Sequence, residues 1–473
     1  MKNYRILCLV LCFLMIIKIF SMPVESSEIT STGNENILNV NSSHGLDAGV
    51  AMLGNTELIE NAQAAILYEA NSETLMYVWN ADAQMYPASM VKILTALIAV
   101  EQGNLADVVT VTESAVSSVP YDAVSAELQP GEQMSLEDLL YCMMVGSAND
   151  AAAVIAEHVG GSQSTFVQQM NEYAQALGCT GTQFVNVHGL HDEAQYTTAR
   201  DVARILDAAM DNETFRGIFT TVSHTVVATD KSEDRELISS NSLMDASSRL
   251  YYDSRVIGGR TGVTEDGRRC LAAVAESNGM QLISVVMGAE SVYEEDGYTA
   301  ISVGGYQEAS ALFDAGFDGY RTAQILFENQ TLKQWSVIDG DCDVVVGPQV
   351  SVSTVLPANV SASDLSFQYS QQELRAPIEN GQVVSNVQIW YSNMCVAQAD
   401  LFAMNSVQLA SGSQIQEEPR KTDSVWPALL IVIFIVVAVL LAVYILIRIA
   451  RRMRIMAAKN RSKKYRRSRR RSR

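Results

Sequence analysis

Residues 269–288 run Arg-Cys-Leu-Ala-Ala-Val-Ala-Glu-Ser-Asn-Gly-Met-Gln-Leu-Ile-Ser-Val-Val-Met-Gly. They read as two apolar strands, Arg269 to Glu276 and Met280 to Gly288, joined by Asn278-Gly279. Asn-Gly is the pair that best tolerates the positive φ of a tight hairpin turn. Strand character begins one segment earlier, at Val256 to Val263, and also occurs far upstream, at Ala64 to Glu69 and Thr74 to Trp79 with a turn at Asn71 and Ser72. The intervening chain has helix signals: one helix opens near Ser89, one is capped by Ser135 with Asp138 three residues on, and one follows Thr197 and Thr198. First and last strands separated by helices predict an α+β fold, one antiparallel sheet closed by both ends of the domain around an inserted helical region.

Beyond a terminal helix near Gln307 to Ala315, residues 322–412 alternate instead. Val350, Val352 and Thr354 fall on one side and Ser351, Ser353 and Val355 on the other, and Val387, Ile389 and Tyr391 repeat the pattern. This segment reads as a small all-β domain.

Two apolar segments fix where the chain lives. Lys2 and Arg5 precede the apolar run Ile6 to Ile17, which suits a secretory signal (1–26, cut after Ser26) better than a membrane span. The alternative is an uncleaved signal anchor. Residues 27–58, rich in Ser, Asn, Gly and acids, form a flexible tether. Near the other end, Trp426 to Ile447 is 22 residues without a charge, enough to cross ~30 Å of hydrocarbon as one helix. Arg448, Arg451, Arg452 and Arg454 follow it, so the positive-inside rule places the C-terminus in the cytoplasm. The expected map is signal 1–26, tether 27–58, main domain 59–321, β-domain 322–412, linker 413–424, transmembrane helix 425–447 and basic tail 448–473.

The chain of 473 residues is 48% hydrophobic and 18% charged, which excludes a wholly disordered protein. Its net charge of -20 hides an asymmetry, since 14 of its 33 basic residues lie in the acid-free tail 448–473. The body is strongly acidic, and a nucleic-acid surface is excluded there because phosphate contacts need clustered cations. The tail itself reads as stop-transfer anchoring before lipid or nucleic-acid binding. Seven cysteines include Cys8 and Cys12 in the signal and leave Cys142, Cys179, Cys270, Cys342 and Cys395 outside it. No C-x-x-C or Cys/His cluster suggests zinc, and buried thiols are expected, with a Cys342–Cys395 pairing as the alternative. His188 and His191 lack the H-E-x-x-H helix of a metal site, so no metal or cofactor is expected.

The chemistry lies in Tyr86-Pro87-Ala88-Ser89-Met90-Val91-Lys92. Pro87 can start a helix, which puts Ser89 at its N-terminus and Lys92 on the same face. A serine hydroxyl is a weak nucleophile until a base removes its proton, and a lysine serves as that base when burial and nearby cations lower its pKa. Lys92 is scarce as well as well placed, for residues 27–424 hold only Lys92, Lys231, Lys333 and Lys421. A second element, Ser147-Ala148-Asn149, follows the capped helix, although Ser239-Ser240-Asn241 repeats its pattern. The third is Arg260-Thr261-Gly262 on the strand opening the C-terminal meander, where glycine admits a ligand to the strand edge and Arg with Thr can grip a carboxylate.

In this order and context the three elements resemble the D-alanyl-D-alanine carboxypeptidases among the low-molecular-mass penicillin-binding proteins. The likeness runs from about Ala64 to Tyr320 and takes in Pro87-Ala88-Ser89-Met90 with Lys92, Gln129-Pro130-Gly131-Glu132, Gly146-Ser147-Ala148-Asn149-Asp150-Ala151, His188-Gly189-Leu190, Thr198-Ala199-Arg200-Asp201 and Gly259-Arg260-Thr261-Gly262. It implies a penicillin-binding/β-lactamase-like fold and a membrane-anchored enzyme acting outside the cell on peptidoglycan pentapeptide stems. It also implies that Ser89 attacks the bond between the last two D-alanines, Lys92 acts as general base and Ser147 passes a proton to the departing D-alanine. Asn149 would hold the substrate backbone, Arg260 and Thr261 its carboxylate, and the N–H groups of Ser89 and Val263 the oxyanion. Penicillins would acylate Ser89.

The family usually has lysine where Arg260 stands. Guanidinium keeps the positive charge but cannot relay a proton. Three alternatives stay in view, one of them a purely structural wall protein whose Ser89 is not acylated. A β-lactamase would want an E-x-x-L-N segment, and Glu35 to Asn39 lies in the tether, the wrong place. A wall-peptide or β-lactam receptor that acylates without turnover would share the same site.

Overall fold

Strand β1 (Ala64–Glu69) is buried along its whole length because both faces of its sheet are covered. Ala64, Ile66 and Tyr68 face the cluster built by the inserted helices, while Ala65 and Leu67 face the opposite cluster, with Leu312 and Phe313. Two-sided burial erases the hydrophobic alternation, which is why the strands read as unbroken apolar runs. Each fully buried Leu or Ile contributes roughly 1.5–3 kcal/mol.

The computed structural model describes residues 45–47, 51–54, 56–293, 300–370 and 373–410. The segments expected as signal, linker, transmembrane helix and basic tail, and most of the expected tether, lie outside the described residues. Among those described, no helix is long and apolar enough to cross a membrane.

After β1 come β2 (Thr74–Trp79), α1 (Val91–Gln102), α2 (Leu136–Met144), α3 (Asn149–Gly160), α4 (Ala199–Met210), the hairpin β3 (Ser223–Val226) and β4 (Arg235–Ile238), then β5 (Val256–Val263), β6 (Arg269–Ser277), β7 (Met280–Ala289) and α5 (Tyr306–Gly319). The sheet order is β2-β1-β7-β6-β5, all antiparallel. N-terminal β1 thus pairs with C-terminal β7, Leu67 opposite Ser284, and closes the sheet as the sequence predicts. Residue 278 has φ 51° and residue 279 has φ 77°, the two positive angles an Asn-Gly turn supplies. The expected caps are in place: the Ser135 side chain accepts from the Asp138 N–H and that of Thr198 from the Asp201 N–H, each worth about 1 kcal/mol.

The β-domain consists of β8 (Tyr320–Leu326), β9 (Lys333–Trp335), β10 (Val344–Gly347), β11 (Val352–Pro357), β12 (Leu365–Tyr369), β13 (Val383–Tyr391) and β14 (Met394–Ala403). Five of these form a sheet in the order β9-β10-β14-β13-β12, and β8 pairs with β11. Strand β8 runs through residue 321, where the sequence places the boundary. Phe317 of α5 shares one apolar cluster with Leu326, Val355 and Leu401, so the helix and the β-domain are packed together. Cys142, Cys179, Cys270 and Cys395 are buried as expected, but Cys342 is exposed. It lies at a turn, where its thiol contacts the Ser406 carbonyl rather than a core.

One buried ion pair ties the β3–β4 hairpin to the Gln129–Glu132 loop. The Glu132 side chain is 0% exposed and receives Arg235 Nη1 at 2.8 Å and Nη2 at 3.0 Å, together with Thr229 Oγ1 at 2.8 Å. Burial alone would raise the Glu132 pKa; the Arg235 bonds, the Gln129 N–H and Thr229 outweigh it and hold the carboxyl below its usual range. Arg235→Ala leaves that carboxylate buried and unpaired, so urea unfolding should show a loss of about 3–5 kcal/mol. A loss below ~1 kcal/mol would class the contact with weak surface pairs.

Candidate active site

Ser89 sits in a single 3-10 turn, Ala88–Met90, and the α-helix begins only at Val91. Pro87 precedes the turn instead of opening the helix. Ala88 is held at φ +47°, a costly conformation for a residue with a side chain. Two glycines enforce it. A Cβ on Gly262 would lie 2.8 Å from Ala88 Cβ and 2.9 Å from Ser89 N, and one on Gly189, whose φ is +88°, would lie 1.9 Å from the Ala88 carbonyl oxygen. The turn is clamped between β5 and the His188–Leu190 loop.

Lys92, one helical turn on, is fully buried. Its Nζ lies 3.1 Å from Ser89 Oγ, 2.7 Å from Asn149 Oδ1 and 2.6 Å from the His188 carbonyl. A neutral amine has two N–H groups and one lone pair, and Asn149 Oδ1 and the His188 carbonyl can only accept. In the neutral amine these two acceptors take both N–H groups and leave the lone pair for the Ser89 hydroxyl. Burial, then the Arg260 charge, push Lys92 well below the ordinary lysine range, with Asp150 acting in the opposite direction.

Asn149 opens α3. Its Nδ2 donates to the Val124 carbonyl at 2.9 Å, which leaves one N–H of that amide for a substrate. Asp150 beside it accepts from Ser125 Oγ at 2.7 Å and from the Ala126 and Leu128 N–H groups at 3.0 Å each, holding the loop that carries Val124. Ser147 lies between α2 and α3 at φ +63°.

Arg260 reaches the site from β5, the edge strand of the sheet, and is 2% exposed. Its Nε donates to the Ser89 carbonyl at 3.3 Å, one terminal nitrogen to the Met144 carbonyl at 2.8 Å, and the other to Ser147 Oγ. Met144 ends α2, so the guanidinium also meets the negative end of that helix. Burial pushes Arg260 down to about 10, and it stays charged at neutral pH. The fork expected to face a ligand carboxylate is thus directed largely into the protein. Thr261 Oγ1 lies 2.6 Å from Ser240 Oγ at the strand edge, Gly262 is buried and Val263 is 54% exposed.

Ser89, Lys92, Ser147, Asn149 and Arg260 therefore meet, and Thr261, Gly262 and Val263 line the adjoining edge. Sequence reasoning missed three participants. The His188 carbonyl is a backbone group with no residue signature, the Gly189 clamp depends on a contact across the fold, and Ser240 was visible only as part of a duplicate S-x-N. The two histidines diverge: burial pushes His188 down to about 4, whereas His191 pairs with Glu265 at 3.1 Å. Burial raises Cys142 and Cys179 to about 12 and Cys270 to about 11, so these three thiols stay protonated at neutral pH.

The D-alanyl-D-alanine carboxypeptidase family matches residues 54–291, and the C-terminal domain of penicillin-binding protein 5 matches residues 320–409. The chain is 30% identical over 362 residues to the D-alanyl-D-alanine carboxypeptidase DacA of Haemophilus influenzae, covering 73% of this chain and 85% of that one. It is 26% identical to DacF of Bacillus subtilis, covering 75% and 88%. The crystal structure of penicillin binding protein 5 from Haemophilus influenzae superposes with a TM-score of 0.63 at 31% identity, over 75% of this chain and 100% of that one. A serine–lysine pair in a clamped turn, set on a sheet closed by the domain's two ends and followed by a matching β-domain, leads to one assignment: the chain belongs to the D-alanyl-D-alanine carboxypeptidases of the low-molecular-mass penicillin-binding proteins.

Proposed function

We propose that Ser89 is the nucleophile and Lys92 the general base of this serine D-alanyl-D-alanine carboxypeptidase. The observation that carries the reading is the pair of acceptors on Lys92 Nζ, which aims the lone pair at Ser89 Oγ, 3.1 Å away. The enzyme cleaves the terminal D-alanine from peptidoglycan stem peptides and is acylated by penicillins at the same step. As Ser89 Oγ bonds to the penultimate D-alanine carbonyl, Lys92 takes its proton. The carbonyl oxygen, now charged, receives the N–H groups of Ser89 and Val263, each donor typically worth ~3 kcal/mol. The C–N bond breaks as Ser147 hands a proton to the leaving amine and regains one from the Lys92 ammonium. Water then attacks the ester, Lys92 takes the water proton, and Ser89 leaves with it. Asn149 holds Lys92 through Oδ1 and offers its remaining N–H to the substrate backbone, while edge strand β5 has an unpaired edge for an extended peptide.

Arg260 cannot carry protons, so the relay runs through Ser147 and Lys92 alone. Its charge disfavours the Lys92 ammonium, and with Thr261 and Gly262 it forms the wall that meets the substrate carboxylate.

The same reading places the enzyme at the cell membrane, with segment 425–447 as a single span, the catalytic domain outside and the tail 448–473 inside. The uncharged apolar run and the arginines behind it support this, and the β-domain then serves as a pedestal. A chain ending at Ala410 should leave the membrane fraction, keep hydrolysing a soluble pentapeptide, and fail to trim intact wall; a truncated chain still in the membrane fraction sinks the anchor.

The central test is mass spectrometry of a D-Ala-D-Ala peptide. The wild type should release free D-alanine and Ser89→Ala none, with fluorescent penicillin labelling lost alongside; labelling without release would instead indicate a receptor. The pH profile of kcat/KM tests the base. Protonation removes the lone pair, so the rate should fall as pH drops through the depressed Lys92 pKa, and this acid limb should lie below the ordinary lysine range. An acid limb near pH ~10 would show an unperturbed lysine.

A further inference from the structure

The terminal carboxylate of the substrate needs donors, and three N–H groups of Arg260 are already committed to protein acceptors. We propose that Ser240 binds substrate, its hydroxyl forming with that of Thr261 a two-hydroxyl receiver for the terminal carboxylate. This rests on the carboxypeptidase reading above. Ser240 Oγ and Thr261 Oγ1 lie 2.6 Å apart, with Ser240 exposed and Thr261 half-buried, so a ligand has access. Two hydroxyls in mutual contact share one proton between them and always have a second pointing away. That outward O–H is polarised by the bond behind it, and a carboxylate, which only accepts, is its natural partner. The neighbouring Arg260 guanidinium supplies positive potential without turning its fork outward.

The Ser240 position is built. Its carbonyl accepts from Tyr306 OH at 2.9 Å, and the Ser239 N–H donates to the Val222 carbonyl at 2.8 Å. Asn241, 1% exposed, lies so tightly against β5 that a Cβ on Gly259 would come within 2.2 Å of its Nδ2. Gly259 therefore sets how closely the Ser240 segment lies against the strand that carries Thr261.

A purely structural Ser240, tying loop to strand, would affect all substrates alike. The discriminating pair is a D-alanyl thioester of thioglycolate and the same thioester with its carboxylate amidated, both acylating Ser89. Ser240→Ala should lower the acid-to-amide ratio of kcat/KM by about ten-fold, the size typical of one charge-assisted hydrogen bond, with the loss on the acid appearing in KM. Ser240→Thr keeps a hydroxyl and should hold the ratio near that of the wild type. A fall of less than about three-fold in Ser240→Ala overturns the proposal, as does an equal fall in Ser240→Thr. If wild type releases no D-alanine from a D-Ala-D-Ala peptide, the carboxypeptidase reading fails separately, and the acid-to-amide ratio of acyl-Ser89 formation, read by mass spectrometry, still decides Ser240.

Discussion

A lysine amine buried away from water, in a setting that disfavours its charge, is the constraint on which the proposed chemistry depends. Lys92 is sealed from water, its two N–H groups are matched by two oxygen acceptors, and the guanidinium of Arg260 lies near enough to disfavour a second positive charge. Each group comes from a different part of the chain: Asn149 from the start of a helix, the His188 carbonyl from a loop, and Arg260 from an edge strand. Had any of the acceptors carried a formal negative charge, the ammonium would be stabilised and the proposed base lost. Asp150, the nearest carboxylate that raises the Lys92 pKa, is directed instead at the N–H groups of the loop above it.

The rest of the fold can be understood as support for that arrangement. The sheet is closed by pairing the two ends of the domain, so its edge strand is held rigid against the inserted helices. The turn that carries Ser89 is forced into an unfavourable φ by backbone on both sides, which leaves no space for a Cβ at either glycine. Strain of this kind persists only where the surroundings over-determine it. Arginine in place of the family lysine belongs to the same logic. It binds three acceptors that a lysine in that position could not span with its compact head, joining the Ser89 carbonyl, the end of α2 and Ser147 into one unit.

Much of this was legible in the residues. The strands at 64–69 and 74–79 begin and end where their apolar runs place them, because both are buried along most of their length, and 256–263 keeps its predicted bounds although only alternate residues are buried. The Ser135 and Thr198 caps are local hydrogen bonds between residues three apart, which sequence reads directly. Ser89 and Lys92 lie on one helical turn, so their meeting is also local. The reading was less sharp at Pro87, where clamping converts the expected helix start into a 3-10 turn, and at Cys342, which lies on a surface turn although thiols usually pack inside.

Sequence by itself therefore determined that Ser89 and Lys92 share one turn, the order of strands and helices, and the presence of apolar segments outside the described fold, because each depends on neighbours within a few residues or on composition. Only the tertiary structure decided that the Arg260 fork turns inward, that the His188 carbonyl joins Lys92, and that Ser240 stands beside Thr261. Those contacts join residues far apart in the chain, and their geometry is set by how closely backbones approach at Gly189, Gly259 and Gly262, which no local pattern encodes.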